Sequence, residues 1–88
     1  MIKHIHILDW RGDNFKLARE LLKMSVSDVL EYIRGPYGFE DIQECEFVDA
    51  YVPAKDELAH IYNELLIAEG LEYRFQSAYV LYGKIGKK

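Results

Sequence analysis

The chain has 88 residues, of which 50% are hydrophobic and 14% aromatic, and its formal net charge is -4 at pH 7. This composition excludes intrinsic disorder, and no apolar run reaches the roughly 20 residues that span a bilayer. The single cysteine, Cys45, allows neither an internal disulfide nor a cysteine-built metal site. We expect residues 1–88 to form one compact domain in the reducing cytoplasm, without a membrane partner.

Charge is distributed unevenly along the chain. Residues 35–72 hold ten acidic side chains and a single basic one, Lys55, whereas residues 73–88 hold four basic side chains and no acidic one. Block asymmetry of this kind predicts an acidic working surface and a basic end. Residues 84–88, which contain three lysines, are predicted to form a frayed basic tail.

A strand followed by helical structure is predicted for the first third of the chain. Residues 2–8 alternate isoleucine with histidine over their central part, which is typical of a strand. Asp13 or Asn14 is predicted to cap the helical segment that follows, residues 14–34. Ser25 is a second candidate cap, so the segment is either one bent helix or two helices.

The second half of the chain predicts a strand, a helix and a last strand. Residues 37–41 are predicted to be a loop, and the mixed alternation of residues 43–52 indicates a strand with a bulge. Apolar residues at spacings of three and four predict a helix over residues 54–69, closed by Gly70. The tyrosine, phenylalanine and valine of residues 72–82 predict the last strand.

The resulting element order is β-α(α)-β-α-β. Helices between strands favour crossovers onto a shared sheet. We therefore predict an α+β or small α/β fold with a three-stranded, at least partly parallel sheet packed by two to three helices. Such a sheet has two open edges, which are commonly closed by a partner or by a second copy of the chain.

Two groups of side chains near the N-terminus could bind a ligand. His4 and His6 are predicted to point the same way from the first strand, about 6.5–7 Å apart, but a metal site needs further ligands, so we predict exposed histidines and no metal. The loop after this strand lies where parallel sheets bind ligands. Its residues, which form an alternative ligand site, are Asp9, Trp10, Arg11 and Asp13. The competing interpretation assigns Trp10 to the core, Asp13 to helix capping and Arg11 to the solvent.

Catalytic chemistry finds little support in the sequence. Cys45 lies between Glu44 and Glu46, whose charges are expected to raise the pKa of the thiol and weaken it as a nucleophile. His60 is predicted to lie with two glutamates on a solvated helix face. We therefore predict no catalytic residue, no enzyme activity and no cofactor.

The acidic stretch is the most unusual feature, because no lysine or arginine lies between Arg34 and Lys55. Glu44 and Glu46 are predicted to project from one strand face, about 6.5–7 Å apart, and to contribute little to stability. Some of the seven tyrosines must lie at the surface of so small a protein, where tyrosine is enriched in binding sites. The predicted partner-binding residues are Tyr37, Phe39, Glu40, Asp41, Glu44, Glu46 and Asp49.

These features predict a small non-catalytic binding protein that engages a basic protein surface through an acidic, tyrosine-rich face. The most concrete version is an inhibitor of a nucleic-acid-handling enzyme, of the kind that phages and mobile elements encode, including anti-CRISPR proteins. Direct nucleic-acid binding is not expected, because residues 17–35, which have helix-turn-helix spacing, carry few basic side chains for phosphate contacts. The alternatives are a small α/β enzyme or ligand-binding protein with its site in the loop after the first strand, and a structural homodimer module.

Overall fold

A computed structural model describes residues 4–76. Within that range the chain forms two strands and four helices: β1 (His6–Leu8), α1 (Gly12–Leu21), α2 (Val26–Leu30), α3 (Phe39–Phe47), α4 (Ala54–Ala68) and β2 (Tyr73–Phe75). The strands pair in parallel, with His6 opposite Tyr73 and Leu8 opposite Phe75. The protein is therefore a small α+β domain, in which α4 and the preceding helices connect the two strands.

The predicted strand over residues 43–52 is wrong. Its first half belongs to α3, and the chain continues from Val48 to α4 without a strand. The buried side chains of α3 are Ile42 and Cys45, three residues apart, which is the spacing of a helix face. The alternation that indicated a strand therefore mixed the last turn of α3 with the extended connection after it. Of the three predicted strands, residues 4–76 contain the first and the beginning of the last.

The start of α3 also differs from the prediction, because the helix begins inside the predicted loop over residues 37–41. The N–H of Gly38 donates to a carboxylate oxygen of Asp41 at 2.7 Å. A carboxylate at the third helical position that accepts this N–H stabilises a helix start. Glu40 and Asp41 both lie in the first turn, where the helix dipole favours negative charge.

The predicted helical segment over residues 14–34 is two helices. The chain turns at Lys23, whose φ of 59° lies in the left-handed region. Ser25 then caps α2, because its hydroxyl accepts the N–H of Asp28 at 3.0 Å while the Asp28 carboxylate accepts the N–H of Ser25 at 2.9 Å. The predicted cap at Ser25 is therefore confirmed. α2 is shorter than predicted and ends at Leu30.

The cap predicted for α1 at Asp13 or Asn14 is wrong. The helix begins earlier, with Arg11 in the N-cap position, and the side chain of Arg11 makes no capping hydrogen bond. The N–H of Gly12, a buried residue at this end, donates instead to the Asp49 carboxylate at 3.0 Å. A residue distant in the chain thus supplies the acceptor that a local cap normally provides.

The fourth helix and the second strand lie where the sequence places them. α4 falls within residues 54–69, and Gly70 follows it with a φ of 72°, a conformation that glycine adopts without strain. β2 falls within residues 72–82. The rest of that predicted strand, residues 77–82, and the predicted tail over residues 84–88 lie outside the described residues.

The core lies where α1 and α4 cover the inner face of the two strands. Phe15 is fully buried, its ring stacks on Phe75 with centroids 4.5 Å apart, and the ring of Tyr62 lies 6.4 Å away. Burying each of these rings contributes about 2–3 kcal/mol to stability. No helix in residues 4–76 has the length and apolar character needed to cross a membrane.

Candidate functional site

The acidic surface predicted from the sequence lies on α3, although on a helix and not on a strand. Glu40, Glu44 and Phe47 are exposed and occur at positions i, i+4 and i+7, so they form one stripe on the side away from the core. Phe47 is 81% exposed, an unusual state for a large apolar side chain, and Phe39 lies half-exposed beside the stripe. We call these four residues the α3 outer face.

Glu46 does not belong to this surface. Its carboxylate oxygens accept from Arg19 Nε at 2.6 Å and from Nη2 at 3.1 Å, and Arg19 Nη1 also donates to the carbonyl of Met24 at 2.9 Å. The two charged side chains are only 8% (Glu46) and 17% (Arg19) exposed. The hydrogen bond to Glu46 raises the pKa of the Arg19 guanidinium above its ordinary value. The predicted strand face of Glu44 and Glu46 is therefore absent, and Glu46 joins α3 to α1.

Two further predicted partner-binding carboxylates accept backbone hydrogen bonds within the protein, although Asp49 itself is exposed. Asp41 accepts the N–H of Gly38 at the start of α3, and Asp49 accepts the N–H of Gly12 at the start of α1. Gly12 approaches α3 so closely that a Cβ there would lie 2.5 Å from the backbone oxygen of Glu46. Asp41 and Asp49 thus position the helices, and the close approach at Gly12 requires a residue without a side chain.

The predicted aromatic anchors divide in the same way. Tyr37 is half-buried and packs against the hydrophobic core, whereas Phe39 is half-exposed. Phe47 was not among the predicted binding residues, because the strand interpretation paired it with Cys45. A helical period applied to the same residues would have placed it on the face of Glu40 and Glu44.

Lys55, the only basic residue of residues 35–72, is fully buried. Its Nζ donates to the carbonyls of Trp10 at 2.6 Å, Val48 at 2.8 Å and Ala50 at 2.9 Å, and lies 5.3 Å from the centre of the Phe15 ring. Burial lowers the pKa of this ammonium. Its charge is therefore enclosed in the fold, and no cation of residues 35–72 lies at the surface near the α3 outer face.

The alternative ligand site in the loop after β1 uses most of its polar groups internally. Asp9 Oδ1 accepts from the N–H and the Nε of Arg11, each at 3.3 Å, and from Asn14 Nδ2 at 2.7 Å. Trp10 is buried, and its Nε1 donates to the carbonyl of Gln76 at 2.8 Å. Asp13 remains exposed. The indole thus serves the core, as the competing interpretation of this loop required.

The three histidines are exposed. The ring of His6 stacks on that of Tyr73 with centroids 4.8 Å apart, and His4 precedes β1. Within residues 4–76, no group of three or more histidine, cysteine or carboxylate side chains could hold a metal ion. His60 forms an exposed pair with Glu64 at 3.0 Å, as predicted for a solvated helix face.

One of the two glutamates expected beside His60 has a structural role. Glu57 turns inward and accepts the backbone N–H groups of Arg34 at 2.5 Å and Gly35 at 3.1 Å. It thereby fixes the chain that leaves α2 against α4. Beside it lies an open cavity of about 280 Å³ whose rim includes Tyr32 and His60.

Cys45 is a core residue. Its side chain is fully buried, and its pKa rises from 9.0 to about 12, chiefly because burial disfavours the thiolate. The charge of Lys55 opposes this rise, and nearby carboxylates such as Glu44 add to it. The predicted direction of the shift is confirmed, but burial and not the flanking glutamates is its main cause. A thiol of this kind is a poor nucleophile.

This pKa shift makes stability depend on pH in a specific direction. Because the folded state holds the Cys45 proton more tightly than the unfolded state, its contribution is complete below about pH 9 and is lost as the pH rises to about 12. We expect the difference in free energy of unfolding between the wild type and Cys45→Ala to narrow across this window by up to about 1.4 kcal/mol per pH unit. Urea unfolding of both proteins at a series of pH values measures this difference. A difference that stays constant between about pH 9 and about pH 12 would contradict the raised pKa of Cys45.

Comparison of the chain with protein-family models, with curated proteins and with solved structures finds no match.

Proposed function

We propose that the protein is a non-catalytic binding domain whose α3 outer face docks on a basic surface of another protein. The observation that carries the proposal is the combination of Glu40 and Glu44 with the exposed ring of Phe47, on a block of chain whose only cation, Lys55, is buried. Charge complementarity speeds encounter and selects the partner, and an aromatic side chain at the centre of such a patch slows dissociation.

The carboxylates that support this proposal are the ones that the fold does not use. Glu40 and Glu44 are exposed and their carboxylates accept no hydrogen bond within residues 4–76, whereas Asp41, Glu46 and Asp49 accept the bonds that hold helices α1 and α3 in place. Glu40 and Glu44 are one helical turn apart, about 6 Å along the axis. That spacing is of the same order as two nucleotide steps along a nucleic-acid strand, roughly 6.8 Å.

The most specific form of the proposal is an inhibitor that occupies the basic groove of a nucleic-acid-handling enzyme, in the manner of phage-encoded anti-CRISPR proteins. It is supported by the small size of the chain, by the net charge of residues 35–72 and by the carboxylate spacing on α3. We place this interaction in the cytoplasm, because Cys45, the only cysteine, is a free buried thiol.

A charge-reversal experiment tests the docking surface. The probe is a fluorescently labelled helical peptide with arginine along one face, and the comparison peptide has glutamine at those positions. We expect Glu40→Lys combined with Glu44→Lys to weaken binding of the arginine peptide by at least about tenfold, since each reversal replaces an attraction with a repulsion. Phe47→Ala should weaken it by several-fold, mainly through faster dissociation. Fluorescence anisotropy measures the affinities.

A matched control separates a docking surface from net charge. Glu20→Lys combined with Glu31→Lys changes the net charge by the same amount at two exposed sites on other parts of the protein. This pair should alter binding by less than about twofold. Both double variants should stay within about 1–2 kcal/mol of the parent, because the four side chains are exposed and the main cost is the reversal of Glu40 in the first turn of α3. Equal losses of affinity in the two double variants, or no loss in either, would contradict the proposal.

A further inference from the structure

The two strands expose different backbone groups. The N–H of His6 donates to the carbonyl of Glu72, and the N–H of Gln76 donates to the carbonyl of Leu8, each at 2.9 Å. His6 and Leu8 therefore face β2 with their backbone groups. By the alternation of a strand, the N–H and C=O of Ile7 point to the opposite side, away from β2.

The outer edge of β2 is closed by side chains. Asn63 of α4 acts like a neighbouring strand, because its Oδ1 accepts the N–H of Phe75 at 2.8 Å and its Nδ2 donates to the carbonyl of Phe75 at 3.3 Å. Arg74 Nη1 donates to the carbonyls of Tyr73 and Leu71, both at 2.6 Å. No further strand can pair with this edge unless these contacts break.

The outer edge of β1 is open within residues 4–76. No group in this range hydrogen-bonds to the N–H or the C=O of Ile7. Within residues 4–76 the extensive contacts of β1 are with β2, and α4 makes its extensive strand contacts with β2. The side chains of Ile5 and Ile7 are both exposed, and an open strand edge beside exposed isoleucines favours pairing with another strand.

We propose that the β1 edge pairs antiparallel with the β1 edge of a second copy of this chain. The choice of a second copy follows from charge. Residues 4–8 contain no carboxylate and no lysine or arginine, so two copies can approach here without like-charge repulsion. The chain as a whole carries a net charge of -4, which opposes self-association through its charged surfaces. A strongly basic partner would gain no ion pair at this edge.

The side chains also define the register of the pairing. A two-fold axis at His6 places Ile5 opposite Ile7 of the second copy, and does so twice, so four isoleucines form one apolar patch on the outer face of a four-stranded sheet. An axis at Ile7 would instead place Ile5 opposite Asp9. The His6-centred register also uses the outward N–H and C=O groups of Ile7 in both copies.

Sedimentation equilibrium between about 10 μM and about 1 mM tests the association, since an edge this short predicts a weak dimer. The wild type should change from monomer to dimer across this range. Ile7→Lys should keep the protein monomeric, because a lysine on an edge strand opposes pairing. Ile67→Lys is the matched control: Ile67 on α4 is 58% exposed, as is Ile7, and its replacement should leave the association unchanged.

Disulfide trapping tests the register. His6→Cys should form an oxidised dimer, because directly opposed residues at a non-hydrogen-bonded position lie within disulfide reach, whereas His4→Cys should not. The buried Cys45 provides no competing thiol. A monomer at all concentrations, unchanged association of Ile7→Lys, or no trapping at position 6 would overturn the proposal. Glu40→Lys combined with Glu44→Lys should still dimerise, so this outcome is separate from that of the partner-binding experiment.

Discussion

Replacing Lys55 with methionine is expected to lower the free energy of unfolding by about 3–5 kcal/mol. The variant keeps a side chain of similar length but leaves three carbonyls, the buried one of Trp10 and the partly buried ones of Val48 and Ala50, without the ammonium that now bonds to all of them. Each buried acceptor that loses its partner costs about 1–3 kcal/mol. The expected loss of stability is large because the ammonium of Lys55 joins two segments, the loop after β1 and the connection between α3 and α4.

Lys16→Met is the control for this variant. Lys16 is exposed on α1, and its replacement should change stability by less than about 0.5 kcal/mol. Chemical denaturation followed by circular dichroism measures both variants. If Lys55→Met were as stable as the parent, the carbonyl cluster would not need its cation, and the structural role assigned to Lys55 would be wrong.

The second large effect is expected at the ion pair between Arg19 and Glu46. Glu46→Ala should cost about 2–4 kcal/mol, because it leaves a guanidinium that is mostly buried without its partner. The neighbouring change Glu44→Ala, at an exposed position of the same helix, should cost less than about 0.5 kcal/mol. This contrast opposes the sequence-based expectation that Glu44 and Glu46 contribute equally little to stability.

A double-mutant cycle identifies the pair as the cause. Replacing both residues with apolar ones, Arg19→Met with Glu46→Leu, should give a protein more stable than either single variant, because no unpaired charge remains in the fold. The cycle is measured by chemical denaturation of the four proteins. Additive losses would show that the two side chains act independently and would contradict the bidentate contact as the source of the stability.

The elements that follow from local patterns could be predicted from the sequence. The alternation of residues 2–8 indicated the first strand, the apolar stripe of residues 54–69 indicated α4, and Ser25 with Asp28 indicated the start of α2. In each case the residues that determine the element lie close together in the sequence. Local spacing was therefore sufficient.

The acidic segment could not be assigned in this way, because its apolar residues fit two periods. Cys45 and Phe47 alternate like a strand, yet Ile42 and Cys45 are the pair that is buried, and Phe47 is solvated. The choice between the periods depends on which side chains meet α1 and α4 in the folded protein. Tertiary contacts of this kind decide short, ambiguous segments.

The division of the carboxylates into structural and free ones depends on contacts distant in the chain. Glu46 meets Arg19 across 27 positions, and Asp49 meets Gly12 across 37. Lys55 bonds to the carbonyl of Trp10 across 45 positions. In the sequence, Glu46, Asp49 and Lys55 look like any other charged residues of the segment 35–72. Only the folded chain shows that Glu40 and Glu44 are free to contact a partner.

The salt dependence of association tests most directly the claim that Glu40 and Glu44 form the docking surface. Stopped-flow fluorescence measures the association rate of the arginine peptide between low and physiological ionic strength, for the wild type and for Glu40→Gln combined with Glu44→Gln. We predict a wild-type rate that falls steeply with added salt and a markedly flatter dependence in the variant, since the two charges that steer the encounter are gone. Parallel salt dependences for the two proteins would contradict the claim.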